Sequence, residues 1–538
     1  MELPNMKYAD KLTKGKQIRF RGLNHSIGAR DGEIWDMMNM TGDHSPVLAT
    51  RAKRMLYRKL KAAGGLYSLD GLAWVDGTGF FYKGTLKGQV SQGQKNFGAL
   101  GKNIIILPDK CFYNVETDTF GSLESRWRGR RLTFTNGKLY GVDADANAVR
   151  CEGVNWTDWF REGDAVTISG CTIHPENNMT PIIREIDGDK MYFYENVFNI
   201  GNGGYTETGE MMIARTVPDI ISVCENENRL WGITKDTIYA SCPGDIFNWN
   251  VYDGIDSDAY AVTPGSAGNL TGCISYRGYP IFMKVEHIYK TYGSIPSDFQ
   301  VMGSASLGLA EGSANSMAVA GEVLYYLGRN GIMAYSGGIP QSVSDAFGMD
   351  RFKNAVAGSD GLKYYVSMEG EDGTAWLYVY DTLKRTWHKE DQTRVTHFAS
   401  WKGNLYFLNE KGEIWITGNI QDPPEDAAEE MDIPFMTEFS DFTDDDPNKK
   451  GVGKLQLRVE LERDAELIVK IQFDSDGVWR EVKSLVGTDP KRSYYLPIVP
   501  RRCDHYRIRL EGTGECRIYS MAREYYSGSE LKSTRGRN

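Results

Sequence analysis

Short apolar runs of Leu, Tyr, Trp and Phe recur along the chain, each opened by a Gly or Asn and followed by a Gly-containing turn and a second aromatic run. They read Gly137-Lys138-Leu139-Tyr140-Gly141, Asn228-Arg229-Leu230-Trp231-Gly232-Ile233 and Gly278-Tyr279-Pro280-Ile281-Phe282. They continue as Gly321-Glu322-Val323-Leu324-Tyr325-Tyr326, Gly361-Leu362-Lys363-Tyr364-Tyr365-Val366 and Gly403-Asn404-Leu405-Tyr406-Phe407-Leu408. From Leu230 to Ile281, Leu324, Tyr364 and Leu405 the steps are 51, 43, 40 and 41 residues. Strand chemistry at a period of ~40–45 residues is the spacing of propeller blades. The pattern predicts an all-β chain built on a β-propeller, with six blades favoured and seven also compatible.

The irregularities divide the chain. Earlier strand pairs at 65–69, 79–83, 102–107 and 111–115 place propeller in 62–149, and the later repeats place it in 216–420. From Leu139 to Leu230 the step is 91 residues, about twice the repeat, so something is inserted. Short strands around an Asp187-Gly188 hairpin turn predict a small β-barrel over 150–215. Pro423-Pro424 and an acidic run end the repeats and predict a linker over 421–452. Alternation then returns, with Leu455, Leu457, Val459 and Leu461 on one face, and predicts a C-terminal β-sandwich over 453–526. Residues 527–538 are polar and basic and read as a flexible tail.

Composition refines this. At 41% hydrophobic and 25% charged residues, the 538-residue chain is an ordinary globular protein, and its 59 Gly suit many tight turns. The net charge of −10 argues against general coating of nucleic acid. Charge is segregated: residues 1–61 hold thirteen Lys/Arg against six Asp/Glu, while 422–446 hold eleven Asp/Glu and no Lys or Arg. Residues 1–61 therefore read as an N-terminal arm. It is either a solvated lead-in whose last strand closes the propeller or a docking arm, with Arg51, Lys53, Arg54, Arg58, Lys59 and Lys61 as the candidate docking residues. Residues 1–20 lack an apolar core, so no signal peptide is expected, and no apolar run reaches a membrane-spanning length. Eight scattered Cys with no C-x-x-C pair read as free thiols.

No catalytic constellation emerges. The seven His (His25, His44, His174, His287, His388, His397 and His505) have no metal-ligand spacing. There is no nucleophile elbow and no P-loop. Gly201-Asn202-Gly203-Gly204 has no helix to follow it. Ser475-Asp476-Gly477-Val478-Trp479 resembles the aspartate box of sialidase propellers, but its spacing is wrong and it occurs once, outside the repeats. The acidic run lacks the alternation of a calcium loop. The chain is expected to be no enzyme and to hold no cofactor or metal.

The order of parts resembles the tail hub or nozzle proteins of short-tailed bacteriophages, also called packaged-DNA stabilisation proteins. Ile34-Trp35-Asp36-Met37-Met38-Asn39-Met40, running to Pro46-Val47-Leu48-Ala49-Thr50-Arg51, is similar to their opening. The stretch from Glu227 to Gly232 through Gly244-Asp245-Ile246-Phe247-Asn248-Trp249-Asn250 resembles blades of phage tail proteins, as does that from Gly278 to Gly293. The stretch from Gly453 to Tyr519 resembles the family's terminal sandwich; the inserted barrel departs from its simplest plan.

The resemblance implies a structural virion protein, assembled in the host cytoplasm into a ring of six copies below the portal and adaptor. Such a ring continues the DNA channel and helps retain packaged DNA until ejection. It contacts portal, adaptor and tail-fibre proteins, passes DNA without reading its sequence, and inserts in no membrane. An alternative is a peripheral tail or baseplate component that binds host glycans or carries fibres, with Trp156 and Trp159 of the insert stacking on sugars. A further alternative is a propeller glycoside hydrolase with paired carboxylates at its pore.

Overall fold

From Asn228 onward, each occurrence of the aromatic phrase is the second strand of an antiparallel meander sheet, of four strands in every case but the last, which has five. The opening Gly or Asn is the turn between first and second strands. Asn228 (φ 59°), Gly278 (φ 77°) and Gly403 (φ 77°) sit in left-handed conformation, which a two-residue hairpin turn requires and a Cβ opposes.

The computed structural model describes residues 11–26, 32–139, 142–194, 198–431, 433–439, 449–488, 490–499 and 501–527. Among them the chain is all-β and propeller-like, with no α-helix and a few single 3-10 turns. It forms two compact units, residues 61–314 and residues 1–60 with 315–538.

The 61–314 unit holds four of the meanders. Their second strands are Leu72–Asp76, Asn103–Leu107, Arg229–Ile233 and Tyr279–Met283. Each of these second strands is buried on both faces, which is why it reads as an unbroken apolar run. Ile104 and Ile106 pack on Val75 and Phe80 of the preceding sheet, while Ile105 and Leu107 pack on Leu230 of the following one. Trp231 and Ile233 turn the other way, onto Phe282 and Tyr289.

Between the second and third meanders lies the insert. It begins at Ser125, not at residue 150. Ser125–Gly129 pairs with Met211–Arg215, and Leu132–Leu139 pairs with Val142–Arg150 and Tyr205–Glu207. Sheets of three and five strands share one core, in which Trp127, Leu132 and Phe134 meet Trp156, Phe160, Val166 and Ile213. Gly137 thus lies inside an insert strand rather than a blade turn, and the 91-residue step starts from a coincidental copy of the phrase. Tyr140 and Gly141 lie outside the described residues.

The second unit holds three more meanders, with second strands Val323–Gly328, Lys363–Gly370 and Asn404–Asn409. The last is composite: Met55–Lys59 supplies its fourth strand, antiparallel to Glu413–Thr417, and Ala428–Glu429 adds to its edge.

Residues 1–61 are therefore no arm where they are described. Lys11–Gln17 and Leu48–Thr50 pair with Cys516–Ser527, and Ile34–Met38 pairs with Pro434–Phe439. These strands complete two sheets, of six and five strands, with the segments 434–439 and 450–527. Nor is 421–452 simply a linker, because Pro434–Phe439 is a strand with Phe435, Thr437 and Phe439 buried. The terminal body accordingly begins well before residue 453. Acidic residues 441–446 lie outside the described residues, as does the tail beyond Ser527.

Candidate functional site

The proposed docking residues split by burial. Arg51 and Arg54 are 6% and 4% exposed, whereas Arg58, Lys59 and Lys61 are exposed. Residues 51–54 lead into the composite strand Met55–Lys59, and both guanidiniums lie within the second unit. Arg51 donates a bidentate pair to the Glu430 carboxylate at 2.8 and 2.9 Å, and its Nε donates to Asn39 Oδ1 at 2.8 Å. Arg54 donates to both oxygens of Asp391 at 2.7 and 3.2 Å, pairs with Glu390, and lies 5.2 Å over the Phe407 ring. Lys53 lies 3.8 Å from Glu429 and Lys59 2.9 Å from Glu413, both near the surface. Arg51 and Arg54 are thus internal ties and cannot serve an acidic neighbour.

The electrostatics of this junction follow from its geometry. Burial pushes the Asp391 carboxyl up, but Arg54 and Arg51 override it and hold it at about 2. Burial likewise opposes the Glu430 charge, and the hydrogen bonds and charge of Arg51 bring its carboxyl below the ordinary value. Nearby, Lys363 pairs with Asp43 at 2.6 Å, Lys389 pairs with Asp36, and His388 Nε2 accepts from the Gly42 amide at 2.9 Å. Burial lowers the His388 pKa to about 4, so at neutral pH its ring is uncharged and free to accept.

Glu390, Asp391 and Glu430 belong to no sequence motif, whereas Asn39 lies in the opening stretch. The segregated charge is their signal: the basic 51–61 stretch and the acidic stretch after 422 contribute opposite sides of a single network.

In the insert, Trp156 is fully buried. Its indole Nε1 donates to the Asp189 carbonyl at 2.9 Å and its ring meets Trp127 edge-on at 5.0 Å. It is a core residue and cannot stack on a sugar. Trp159 is 41% exposed, so the two tryptophans form no shared platform.

The insert is clamped to the loop that follows Cys242. Asp164, fully buried, takes the Arg161 amide at 3.0 Å and pairs with Arg215, whose guanidinium lies 4.6 Å over Phe247. Asn248 Oδ1 accepts from the Ala165 amide at 2.9 Å, and its Nδ2 donates to the Gly163 carbonyl at 3.1 Å. Beside this clamp is a cleft of about 640 Å³, lined among others by Thr180, Tyr194, Cys242, Asp245 and Ile255. Burial pushes the Cys242 thiol up to about 12, so it stays protonated and is no nucleophile at neutral pH. Asp164→Ala is expected to destabilise the 61–314 unit by about 3–5 kcal/mol, because it leaves the Arg215 charge buried and unpaired. Urea unfolding followed by tryptophan fluorescence measures this.

Among the described residues no group of three His, Cys, Asp or Glu is placed to hold a metal ion.

No family model matches the chain, and no curated protein matches it. Solved structures do. The chain is similar to BamB from Moraxella catarrhalis at 11% identity, covering 70% of this chain and 99% of that one, with a TM-score of 0.34. It is similar to an exo-β-1,3-galactanase from Phanerochaete chrysosporium at 8% identity, covering 56% and 95%, with a TM-score of 0.22. A family 29 carbohydrate-binding module matches at 12% identity over 24% of this chain and 70% of that one, with a TM-score of 0.13. At these scores none of the three bears on function.

Proposed function

We propose that the chain is a structural protein of a bacteriophage tail, a hub or nozzle subunit. Copies assemble into a ring that continues the DNA channel and helps retain packaged DNA until ejection. In this reading the seven meander sheets of the described residues, six of four strands and the last of five, are propeller blades, one more than the six favoured from sequence, and Met55–Lys59 is the strand that completes the last blade. The insert is a small barrel and the two terminal sheets a sandwich.

One observation carries the reading. The residues that resemble the tail-protein family are the joints of the scaffold. Asn39 and Arg51 of the opening stretch tie the terminal sheets to the last meander through Pro434 and Glu430. Phe247 and Asn248 of the blade stretch clamp the insert. Such joints hold a scaffold rigid, which a ring under load needs and catalysis alone does not. The net charge of −10 suits a channel wall that lets DNA pass, because phosphates are repelled.

The neighbouring copy is expected on the turn end of the second unit's sheets. There Gly321 and Gly361 of adjacent meanders are hydrogen-bonded, and Leu362, Leu383 and Ile339 are 58%, 76% and 85% exposed. Cryo-electron microscopy of tails containing the chain tests the reading: a ring of copies around the DNA axis is expected. Ile339→Asp with Leu383→Asp is expected to leave the monomer's melting curve unchanged and to prevent ring formation. A chain found away from the tail axis, or rings that form unchanged in the double variant, would count against it.

A further inference from the structure

The strand Arg229–Ile233 places Arg229 and Trp231 on one face, opposite Leu230. That face looks onto the next meander, where His287–Tyr292 contributes Thr291. Between the two sheets, at their turn ends, is a cavity of about 240 Å³. It opens past the exposed turn residues Glu227, Gly278, Gly293 and Ser294. At ~30 Å³ per water it has room for about eight waters or one small organic molecule.

The cavity is lined by polar groups left unsatisfied. Trp231 and Thr291 are each 2% exposed, and neither the indole Nε1 nor the Thr291 hydroxyl has a hydrogen-bond partner. A buried polar group without a partner costs about 1–3 kcal/mol, so two around one cavity point to something that occupies it. Arg229 lines it as well, 3% exposed. Its Nη1 donates to the Ser241 and Asp258 carbonyls and its Nη2 to the Asp256 carbonyl at 2.8 Å, so two of the five guanidinium N–H donors are uncommitted. Among the described residues no carboxylate lies within ion-pair distance of it. Asp258 supports its charge from farther off, but its Oδ2 accepts from the Gly254 and Ile255 amides at 2.6 and 3.1 Å. Burial therefore lowers the Arg229 pKa. Arg54 and Asp164, by contrast, are buried charges with an ion-pair partner. The apolar wall is Phe299, whose ring meets Trp231 at 5.0 Å and lies 5.6 Å from the Arg229 guanidinium.

We propose that this cavity binds a small hydroxylated carboxylate, of hydroxy-acid or uronic-acid type. The carboxylate oxygens accept from the Trp231 indole N–H and the uncommitted N–H groups of Arg229. A ligand hydroxyl meets Thr291, which both donates and accepts, and the ligand's carbon face rests on Phe299. The buried unspent groups are the Trp231 and Arg229 donors and the Thr291 hydroxyl, while the one carboxylate of the lining, Glu227, is exposed at the mouth, which selects an anionic acceptor over a neutral polyol. The Arg229 charge, short of a counter-ion, supplies the same preference.

The test is titration of the full chain with lactate and with glucuronate, using glucose and the neutral methyl ester of glucuronate as comparators, read by saturation-transfer NMR and calorimetry. At least one carboxylate is expected to bind, and both neutral comparators at least tenfold more weakly. Thr291→Val, close to isosteric, and Trp231→Phe, which keeps a ring and removes the N–H, are each expected to weaken binding about tenfold. Melting curves establish that both variants fold, and Thr291→Val suffices if Trp231→Phe does not. The proposal is overturned if neither carboxylate binds at ~10 mM, if glucose matches glucuronate, or if Thr291→Val binds like the parent. A crystal soaked in glucuronate that shows only waters between Trp231 and Thr291 overturns it equally.

Discussion

A chain that begins at residue 62 is expected to lose the folded state of residues 315–538, rather than to fold normally and fail only at docking. Among the described residues, five strands disappear with the deletion, including the fourth strand of the last meander and the Ile34–Met38 partner of Pro434–Phe439. Phe20, Leu23, Ile34, Met37, Met40 and Leu48 are each under 9% exposed and lose their places in the core. At about 1.5–3 kcal/mol for each buried apolar side chain, the loss for these six is about 9–18 kcal/mol, as large as the whole stability of a typical domain. Glu430, Glu390 and Asp391 lose both arginines at the same time. Limited proteolysis read by mass spectrometry is the measurement. Protection is expected to vanish across 315–527 and to return when residues 1–61 are co-expressed as a separate chain. Removing residues 1–17 alone takes, among the described residues, the one strand Lys11–Gln17 and is expected to be tolerated. A truncated chain that keeps its protease protection and fails only to assemble would restore the docking-arm reading.

That expectation reverses the one the sequence suggests, and the reason is physical. Periodicity reports which face of a strand is buried, and for the repeats it is enough. Trp231, Tyr326, Tyr364 and Phe407 are buried second-strand residues, where the phrase places them. It does not report the partner strand. Ile34–Met38 is too short to show a clear alternation, and it pairs with a strand some four hundred residues later. Pairing at that separation leaves no local mark, so residues 1–61 look unattached in the sequence. Arg51 and Glu430, 379 residues apart, leave a faint one: a basic and an acidic stretch, each far from neutral. The insert boundary is hidden for another reason. Gly137-Lys138-Leu139 copies the blade phrase in a strand that belongs to the insert sheet. The exposure of Trp159 beside the burial of Trp156, and the unpartnered atoms of Trp231 and Thr291, depend on how sheets stack. Such packing is not written in a strand's own sequence.

Arg54→Met is expected to destabilise the second unit by about 3–5 kcal/mol at pH 7, because it leaves two carboxylates short of their counter-charge in a poorly solvated site. Glu390 and Asp391 are only 9% and 25% exposed, and Arg51 reaches them at 3.7 and 3.5 Å rather than in hydrogen-bond contact. The pH dependence identifies the cause. In the parent, Asp391 titrates at about 2 when folded against 3.8 ordinarily, so its contribution is complete above about 4 and is lost as pH falls through about 2. His388 adds an earlier decline: folded near 4 against 6.5 ordinarily, it favours the folded state fully above 6.5 and progressively less down to about 4. His388 is intact in Arg54→Met, so this upper limb is expected in both proteins. The lower limb is expected to differ. Without Arg54, burial raises the Asp391 carboxyl, and protonating it relieves the variant while it harms the parent. The deficit measured by urea unfolding should therefore shrink steadily as pH is lowered from 6 to 3. Arg54→Lys keeps the charge and loses the two-oxygen contact with Asp391, and should fall between the two. A deficit that is the same at every pH would assign the role of Arg54 to its packing over Phe407 instead of to its charge.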